Sequence, residues 1–316
     1  MNALPAGSGL SAVDLGRLIL GGAQFGMSYG VTNACGQVPE SEVRAILAHA
    51  HSARLRLVDT AAAYGTSQQV LGSALVDFPN IEIISKLPAF AGESIGAADI
   101  RELQSSVLRS LELLRRGKLD ALLVHACLDL FKPGGLRLVE FLQGLRSSGI
   151  ASRIGVSIYE ADEIDRTLEI FTPDVVQMPV NLFDQRLIRS GHVENLRAAG
   201  VEIHGRSAFL QGVLLAEPGD LPKHFEHFSD AFAAYSDFIT QNKLSRLAAS
   251  LGFMLKQSGV DKVVVGVTSL QELDEILHVL KSQTALPAMD SLACSDLNLI
   301  DPRRWPVFPR VRMESH

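Results

Sequence analysis

The sequence predicts a (β/α)8 TIM barrel, an α/β fold, and three observations support this prediction. Eight short runs are apolar on both faces, as buried parallel strands are. The segments between them carry apolar residues at the spacing of helices. No linker divides the chain, and a half-barrel would leave unpaired sheet edges. The predicted strands are residues 17–20, 55–59, 81–86, 120–125, 153–157, 175–178, 201–204 and 262–266.

Apolar stripes and start signals predict the helices between these strands. Two stripes repeat with a period near 3.6 residues, three Ser/Thr-x-x-Glu/Gln pairs resemble capping boxes, and Pro39 suits a first helical turn. The stripes are Leu103, Val107, Leu111 and Leu114, and Leu270, Leu273, Ile276, Leu277 and Leu280. The pairs are Thr66 with Gln69, Ser157 with Glu160, and Ser269 with Glu272.

The regular alternation predicts a single domain over residues 1–316. Residues 1–15 resemble a loose N-terminal tail, and residues 287–316 form an irregular C-terminal tail. That tail either closes over the barrel mouth or packs outside it. The longest departure from alternation lies between Gly212 and Lys243, and we interpret it as a loop with an additional helix near the mouth.

Composition and charge argue against several classes of function. The chain is 47% hydrophobic with a net charge of −6, and no Lys/Arg-rich run suggests a nucleic acid or an anionic membrane as partner. Its three cysteines lack a CxxC pair, which argues against disulfides and thiolate zinc sites. The first residues lack the features of a signal peptide, and no apolar stretch reaches about 18 residues. We therefore expect a cytoplasmic protein without a membrane span.

The familiar phosphate and metal motifs are missing. Gly21 and Gly26 have the glycine spacing of a phosphate loop, but Met27 stands where such a loop needs lysine. No G-x-G-x-x-G follows a predicted strand, and no HExxH occurs. His224 and His227 lie in the insertion without a nearby carboxylate cluster, so a solvated surface explains them best. The sequence predicts no metal site.

Four polar residues follow successive predicted strands and suggest proton transfer. Asp59 and Tyr64 follow the second strand, Lys86 the third and His125 the fourth. Tyrosine is a weak acid with a pKa of about 10, and a nearby ammonium lowers that pKa. Lys86 is placed to supply the ammonium, with Asp59 keeping it charged. His125 would orient a substrate carbonyl, so the four make one proton relay.

Each of these four residues also fits a purely structural role. Singly, Asp59 could cap a turn, Tyr64 could be a loop aromatic, Lys86 a surface lysine and His125 a core residue. Their joint position at the strand ends is a more specific signal of a proton-transfer site than any one of the four residues alone. A Schiff-base aldolase using Lys86 is an alternative, although Asp59 would stabilise the charged amine rather than the neutral nucleophile.

Beyond these four residues, the chain resembles the aldo-keto reductase family, with motifs in family order from about Leu18 to about Trp305. The resemblance implies that Asp59, Tyr64, Lys86 and His125 are catalytic, with Tyr64 as general acid. The motifs are Leu20-Gly21-Gly22-Ala23-Gln24-Phe25-Gly26, Val58-Asp59-Thr60-Ala61 with Tyr64-Gly65, Ile84-Ser85-Lys86, Leu122-Leu123-Val124-His125, Ile154-Gly155-Val156-Ser157, Val176-Gln177 with Asn181, Gly205-Arg206-Ser207 through Gln211-Gly212, and Val264-Val265-Gly266-Val267.

The resemblance also implies a nicotinamide cofactor extended across the C-terminal face of the barrel. Gln177 and Ser157 match residues that bind the nicotinamide carboxamide, and Ser207, Phe209 and Gly212 match the pyrophosphate loop. Arg206 stands where many members stack an aromatic ring; it could stack as well, or it could face an anionic substrate group. The implied cofactor-binding residues are Gly22, Ala23, Asp59, Ser157, Gln177, Arg206, Ser207, Phe209, Gly212, Gly266, Thr268, Glu272 and Glu275.

Members of the family usually use NADPH, so the resemblance implies NADPH. NADH stays open because no basic residue that could bind a 2′-phosphate directly follows Gly266. The expected substrate is a small-molecule aldehyde, ketone or sugar. Ile158 and Ile276 replace two family asparagines, which keeps a nicotinamide-binding sensor or regulatory protein as an alternative. The sequence leaves the oligomeric state open and is compatible with a monomer.

Overall fold

A computed structural model describes residues 15–281 and 286–308. Eight parallel strands close into one barrel in chain order, which confirms the predicted (β/α)8 architecture. All eight predicted strands are present, with ends that differ by at most a few residues. They are β1 (Leu18–Gly21), β2 (Leu57–Asp59), β3 (Glu82–Lys86), β4 (Leu119–Val124), β5 (Ala151–Ser157), β6 (Val175–Pro179), β7 (Glu202–Arg206) and β8 (Lys262–Gly266).

Helices follow the strands and surround the barrel. The α-helices are α1 (Ala23–Gly26), α2 (Glu40–Ser52), α3 (Ser67–Ala74), α4 (Ala97–Leu114), α5 (Leu136–Ser147), α6 (Ala161–Ile170), α7 (Arg186–Arg189), α8 (His192–Ala198), α9 (Ser229–Asn242), α10 (Arg246–Lys256), α11 (Leu270–Lys281) and α12 (Leu297–Ile300). Short 3-10 helices cover Leu75–Asp77, Cys127–Phe131, Leu210–Gly212, Pro218–Asp220, Lys223–Phe228, Asp290–Leu292 and Pro302–Arg304. In the part of the chain that these elements span, no helix is long and apolar enough to cross a bilayer.

Two separate apolar clusters form the core. One fills the layer between strands and helices, and the other fills the barrel itself. Alternate strand residues point to opposite faces, so the residue two positions after an interior residue also points inward. This alternation carries the next inward residue of several strands into the barrel mouth. The interior cluster is Ile19, Leu57, Ile84, Ala121, Leu123 and Val175.

The helix starts differ in part from the predicted ones. Ser157 ends β5 instead of capping a helix, and the Glu163 carboxylate accepts from the Glu160 backbone N–H at the start of α6. The capping box predicted at Ser157 was wrong because β5 continues through Ser157. Pro39 is the residue before α2 rather than in its first turn, and Thr66 precedes α3 without a side-chain cap. Ser269 accepts from the Glu272 N–H as expected.

The insertion contains the predicted additional helix, α9, and the C-terminal tail packs against it. Phe225 of the insertion lies edge-on to Trp305 of the tail at 5.0 Å between ring centroids. The Cys294 N–H donates to the Phe183 carbonyl at 2.8 Å, so the tail is also attached beside the barrel. The tail therefore lies beside the part of the mouth that the loops after β5 and β6 form. The N-terminal tail falls almost entirely outside the described residues.

Candidate active site

Strand ends position three of the four predicted catalytic side chains. Asp59 and Lys86 are the last residues of β2 and β3, and His125 directly follows β4. Each stands two residues after an interior residue, Leu57, Ile84 or Leu123, and therefore points into the mouth. The sequence pattern predicted this convergence.

A tight loop after β2 carries Tyr64 into the same space. The Ser67 N–H donates to the Tyr64 carbonyl at 3.0 Å, and Gly65 adopts a φ of 54°. This loop lies so close to Gly26 that a Cβ there would approach the Tyr64 carbonyl oxygen to 2.0 Å. The glycine spacing that resembled a phosphate loop therefore allows the loop that carries Tyr64 to pack closely against α1.

Lys86 connects the predicted catalytic residues. Its Nζ pairs with Asp59 Oδ1 and donates to the Thr60 carbonyl at 3.1 Å and to Tyr64 Oη at 3.4 Å. Lys86 is 1% exposed and Asp59 3% exposed, so the pair is shielded from water. The other Asp59 oxygen accepts from Gln177 Nε2 at 2.9 Å. The ammonium is thus held against the phenol oxygen by a fixed carboxylate.

Burial determines the protonation states around Lys86. Removal from water lowers the pKa of Lys86, while Asp59 opposes this effect by favouring the ammonium. Burial, followed by the Asp59 charge, raises the pKa of Tyr64 above its ordinary value. The expectation of a lowered pKa for Tyr64 was wrong for the free protein, because burial and the Asp59 charge outweigh the lowering effect of Arg206. Tyr64 is therefore a phenol with a proton to donate.

His125 is neutral at physiological pH. Burial, followed by the positive charge of Lys86, lowers its pKa to about 4. Its ring lies edge-on to Tyr64, with 5.7 Å between centroids and an interplanar angle of 85°. A neutral imidazole beside the phenol can donate or accept one hydrogen bond at a substrate oxygen, depending on its tautomer.

The lowered pKa of His125 predicts a loss of stability in mild acid. Between about pH 6.5, the pKa of free histidine, and about pH 4, the unfolded chain binds a proton that the folded protein does not. The free energy of unfolding should therefore fall as the pH drops through this window. Urea denaturation at several pH values should show a shallower fall for His125→Gln than for the unmodified protein. Parallel profiles would mean that folding does not lower the pKa of His125.

Two buried polar atoms near the pair fit the carboxamide of a nicotinamide ring. Gln177 donates its amide to Asp59, which leaves its Oε1 as an acceptor without a partner among the described residues. Ser157 Oγ also makes no hydrogen bond within that part of the chain and faces the same cleft. A carboxamide supplies both a donor and an acceptor, so this pair of atoms matches it.

The mouth opens into two clefts that share one wall. The first, about 970 Å³ including open solvent, contains the four predicted catalytic residues with Gly22, Ala23, Ser157, Gln177, Arg206 and Ser207. The second, about 1570 Å³, extends along α9, α10 and α11 and contains Thr268, Glu272 and Glu275. Their shared wall is Phe209, Gln211, Gly212 and Gly266. Together they can accommodate an extended dinucleotide.

The far end of the second cleft is acidic. Glu272 accepts from the N–H and the hydroxyl of Thr268 at 2.6 and 3.0 Å, and Glu275 accepts from Gln271 at 2.9 Å. The charged side chains along this cleft are Glu217, Glu272, Glu275 and Arg246. Arg246 is already paired with both oxygens of Glu217, at 3.1 and 2.8 Å.

These features agree with a comparison by sequence. The model of the aldo/keto reductase family matches residues 17–294. The chain belongs to this family. Family membership supports a general class of activity, the oxidation or reduction of carbonyl compounds with a nicotinamide cofactor. No curated protein matches the sequence.

Solved aldo-keto reductases share the fold of this one. The holo enzyme of Bacillus halodurans is 18% identical, with a TM-score of 0.69 over 92% of this chain and 95% of its own. The glycerol dehydrogenase of Gluconobacter oxydans is 20% identical, with a TM-score of 0.66 over 93% of this chain and 94% of its own. At these identities the likeness concerns the fold alone.

In this aldo/keto reductase, every residue that the sequence associated with the cofactor lies along one of the two clefts. Their roles stay predictions. Sequence reasoning missed Tyr159, whose ring contacts Arg206, and the strain in the loop after β7. Ser207, Leu210 and Gln211 have φ values of 63°, 47° and 54°, in the left-handed region that residues other than glycine and asparagine seldom adopt. No composition signal marks this strain, because none of the three is glycine or asparagine.

No metal centre was found in residues 15–281 and 286–308. Within them, no group of three or more His, Cys, Asp or Glu side chains could hold an ion. Of the two insertion histidines, His224 donates a hydrogen bond from Nε2 to the Asn298 carbonyl, 3.0 Å away, and lies edge-on to Phe225. His224 thus helps to attach the tail to the insertion.

Proposed function

We propose that this aldo/keto reductase interconverts an aldehyde or ketone and an alcohol, with Tyr64 as the proton donor and acceptor. One observation carries the proposal: the Lys86 ammonium contacts both the Asp59 carboxylate and the Tyr64 phenol oxygen. A structural ion pair has no need of a tyrosine hydroxyl aimed at its cation. A general acid does, because the phenolate that forms must be stabilised.

In the reducing direction, the nicotinamide ring, when bound, supplies a hydride to the carbonyl carbon. The carbonyl oxygen becomes an alkoxide and takes the Tyr64 proton. Lys86 stabilises the resulting phenolate, and Asp59 holds Lys86 in its charged form. Neutral His125 donates a hydrogen bond to the substrate oxygen and orients it toward Tyr64. Oxidation of the alcohol reverses each step.

The positions of the cleft residues support a division of the cofactor between the two clefts. Ser157 and Gln177 would hold the carboxamide, while Gly22 and Ala23 would lie beside the nicotinamide. Ser207, Phe209, Gly212 and Gly266 lie where the clefts join and would contact the pyrophosphate. Thr268, Glu272 and Glu275 would surround the adenosine.

The charges at the adenosine end favour NADH over NADPH, although family habit favours NADPH. Glu272 and Glu275 leave a negative field that no cation along the second cleft offsets among the described residues, since Arg246 is paired with Glu217. A 2′-phosphate would add two further negative charges there, whereas the ribose hydroxyls of NADH can donate to carboxylates. We therefore propose NADH as the preferred cofactor.

Removing one of these charges tests the cofactor preference. Glu272→Gln keeps an acceptor for Thr268 but loses the charge, so the affinity for NADPH relative to NADH should rise about tenfold, or about 1.4 kcal/mol. Fluorescence titration of both cofactors measures the ratio. Asp274→Asn neutralises an acid on the same helix that pairs with His49 outside the clefts, and it serves as the matched control. If the affinity for NADPH relative to NADH were the same in the two variants, Glu272 would not lie at the adenosine end of the cofactor.

Turnover with a panel of aldehydes, ketones and sugars tests the redox function. We expect NADH oxidation with at least one substrate and tight NADH binding without substrate. Tight binding combined with no turnover across the panel would support a nicotinamide-dependent sensor instead. Absence of binding by either cofactor would overturn the proposed function.

A further inference from the structure

The Arg206 guanidinium lies in the catalytic cleft without an acidic partner. It ends β7 and lines the first cleft. Its Nη2 donates to the Ile158 carbonyl at 2.9 Å, and its Nη1 donates to Ser207 Oγ at 3.4 Å. Both acceptors are neutral, and no carboxylate among residues 15–281 and 286–308 pairs with it. A partly buried cation without a counter-charge is unfavourable unless a ligand supplies one.

Two other half-buried arginines of this protein have carboxylate partners. Arg153 pairs with Asp120 and Glu202, and Arg186 pairs with Asp184 and Glu160. Carboxylates thus neutralise both of these guanidiniums, whereas the half-buried Arg116 donates to the Leu75 and Phe78 carbonyls. Arg206 is different because it faces the space where a substrate must enter.

The charges along the first cleft do not balance. Its charged side chains are Asp59, Lys86 and Arg206, and His125 is neutral at physiological pH. The first two neutralise each other, which leaves one positive charge. Burial raises the pKa of Tyr64 and lowers that of His125, and the positive charge of Arg206 opposes the first shift and adds to the second. The unbalanced charge therefore lies within electrostatic range of the proton-transfer site.

Stacking fixes the position of this guanidinium. The Tyr159 ring lies 4.0 Å from Arg206 Cζ and 3.7 Å from Arg303 Cζ. Two guanidiniums cannot both lie over one face of a ring, so they take opposite faces. Arg303 is in turn paired with Asp301 at 2.7 Å and with Glu160 at 2.9 Å. Arg206 is thus preorganised, and its remaining N–H groups have no acceptor in the described part of the chain.

We propose that Arg206 binds the anionic group of the substrate, so that the enzyme acts on carbonyl compounds that carry a carboxylate or a phosphate. The inference rests on the proposed function, because it names the substrate class of the same site. A planar guanidinium can bind either group through two parallel hydrogen bonds, which a neutral substrate cannot accept as strongly. Arg206 is therefore a specificity-determining residue beside the catalytic four.

Matched substrates test this proposal. We would compare kcat/KM for 4-carboxybenzaldehyde with that for its neutral methyl ester, and kcat/KM for glyceraldehyde 3-phosphate with that for glyceraldehyde. In at least one pair, kcat/KM for the charged substrate should exceed that for its neutral counterpart about 100-fold, as expected for two charge-assisted hydrogen bonds. The pair that shows the preference distinguishes carboxylate from phosphate recognition.

Variants assign the preference to Arg206. Arg206→Gln should abolish the charged-over-neutral ratio through the KM for the charged substrate, and Arg206→Lys should restore part of it. Arg101→Gln changes an exposed arginine on α4 and should leave the ratio unchanged. A ratio near one in the unmodified enzyme would overturn the proposal. An Arg206→Gln variant whose loss appears as a raised Kd for NADH would also overturn it, because Arg206 would then belong to the cofactor site.

Direct binding separates this proposal from the redox function. Benzoate and benzamide do not react, and calorimetry can measure their binding to the NADH-bound protein. Arg206-dependent binding of benzoate without turnover of any carbonyl would support the anion site and overturn the redox function. Turnover combined with equally weak binding of both compounds would support the redox function and overturn the anion site.

Discussion

Replacing Tyr64 with phenylalanine will lower kcat by about 10³-fold, within the range that a positioned general acid contributes. The ring remains and keeps its edge-on contact with His125, while the transferable proton and the contact with Lys86 are lost. The Kd for the nicotinamide cofactor should stay nearly unchanged, because the hydroxyl faces the reacting oxygen. Steady-state kinetics and fluorescence titration of the same preparation measure both quantities.

A second phenol in the same cleft provides the control. Tyr29 lines the first cleft but makes no side-chain hydrogen bond to Lys86 among the described residues. Tyr29→Phe should therefore lower kcat by less than about tenfold, as a residue outside the proton transfer does. Equal losses in the two variants would remove the reason for singling out Tyr64. An equal loss of kcat and cofactor affinity in Tyr64→Phe would show a structural role.

Replacing Lys86 with methionine should lower both activity and stability. Activity should fall by about 10³-fold or more because the phenolate loses its cation. The free energy of unfolding should fall by about 3–5 kcal/mol, because Asp59 would stay buried with only Gln177 as a side-chain donor. Urea denaturation monitored by circular dichroism measures the second effect.

A double variant separates the two roles of Lys86. Asp59→Asn combined with Lys86→Met removes the unpaired charge, so it should recover most of the lost stability while the activity stays low. Recovery of activity with stability would mean that Lys86 acts only through folding.

Reduction with borohydride in the presence of substrate tests the alternative that Lys86 forms a Schiff base. A covalent adduct on Lys86 would support a Schiff-base aldolase and contradict the reductase mechanism.

The sequence predicted the barrel and the convergence of four side chains because both depend on local alternation. A polar residue that ends an apolar strand in phase with its interior residues must enter the mouth, as Lys86 does after Ile84. Arg206 was identified only through the family motif, because the predicted seventh strand ended at residue 204 and the observed one ends at Arg206. The sequence could not reveal that Arg206 lacks a carboxylate partner, because that depends on every side chain around it.

Contacts between distant segments explain most of what the sequence did not predict. The ring of Tyr159 contacts the guanidinium of Arg303, which lies 144 positions further along the chain, in the tail that packs on the insertion. The left-handed backbone of Ser207, Leu210 and Gln211 is imposed by the surrounding fold rather than by residue type. The box predicted at Ser157 was wrong because a local signal for a helix start was overridden by pairing of β5 with β6.

The stack of Arg206, Tyr159 and Arg303 connects the proposed substrate selectivity to the C-terminal tail. Arg303 comes after β8 in the chain, whereas the four proposed proton-transfer residues come before it. A chain that proteolysis shortens before Arg303 would lose the guanidinium that packs on the Tyr159 ring together with Arg206. Discrimination between acidic and neutral carbonyl compounds should therefore be more sensitive to clipping of the tail than proton transfer at Tyr64.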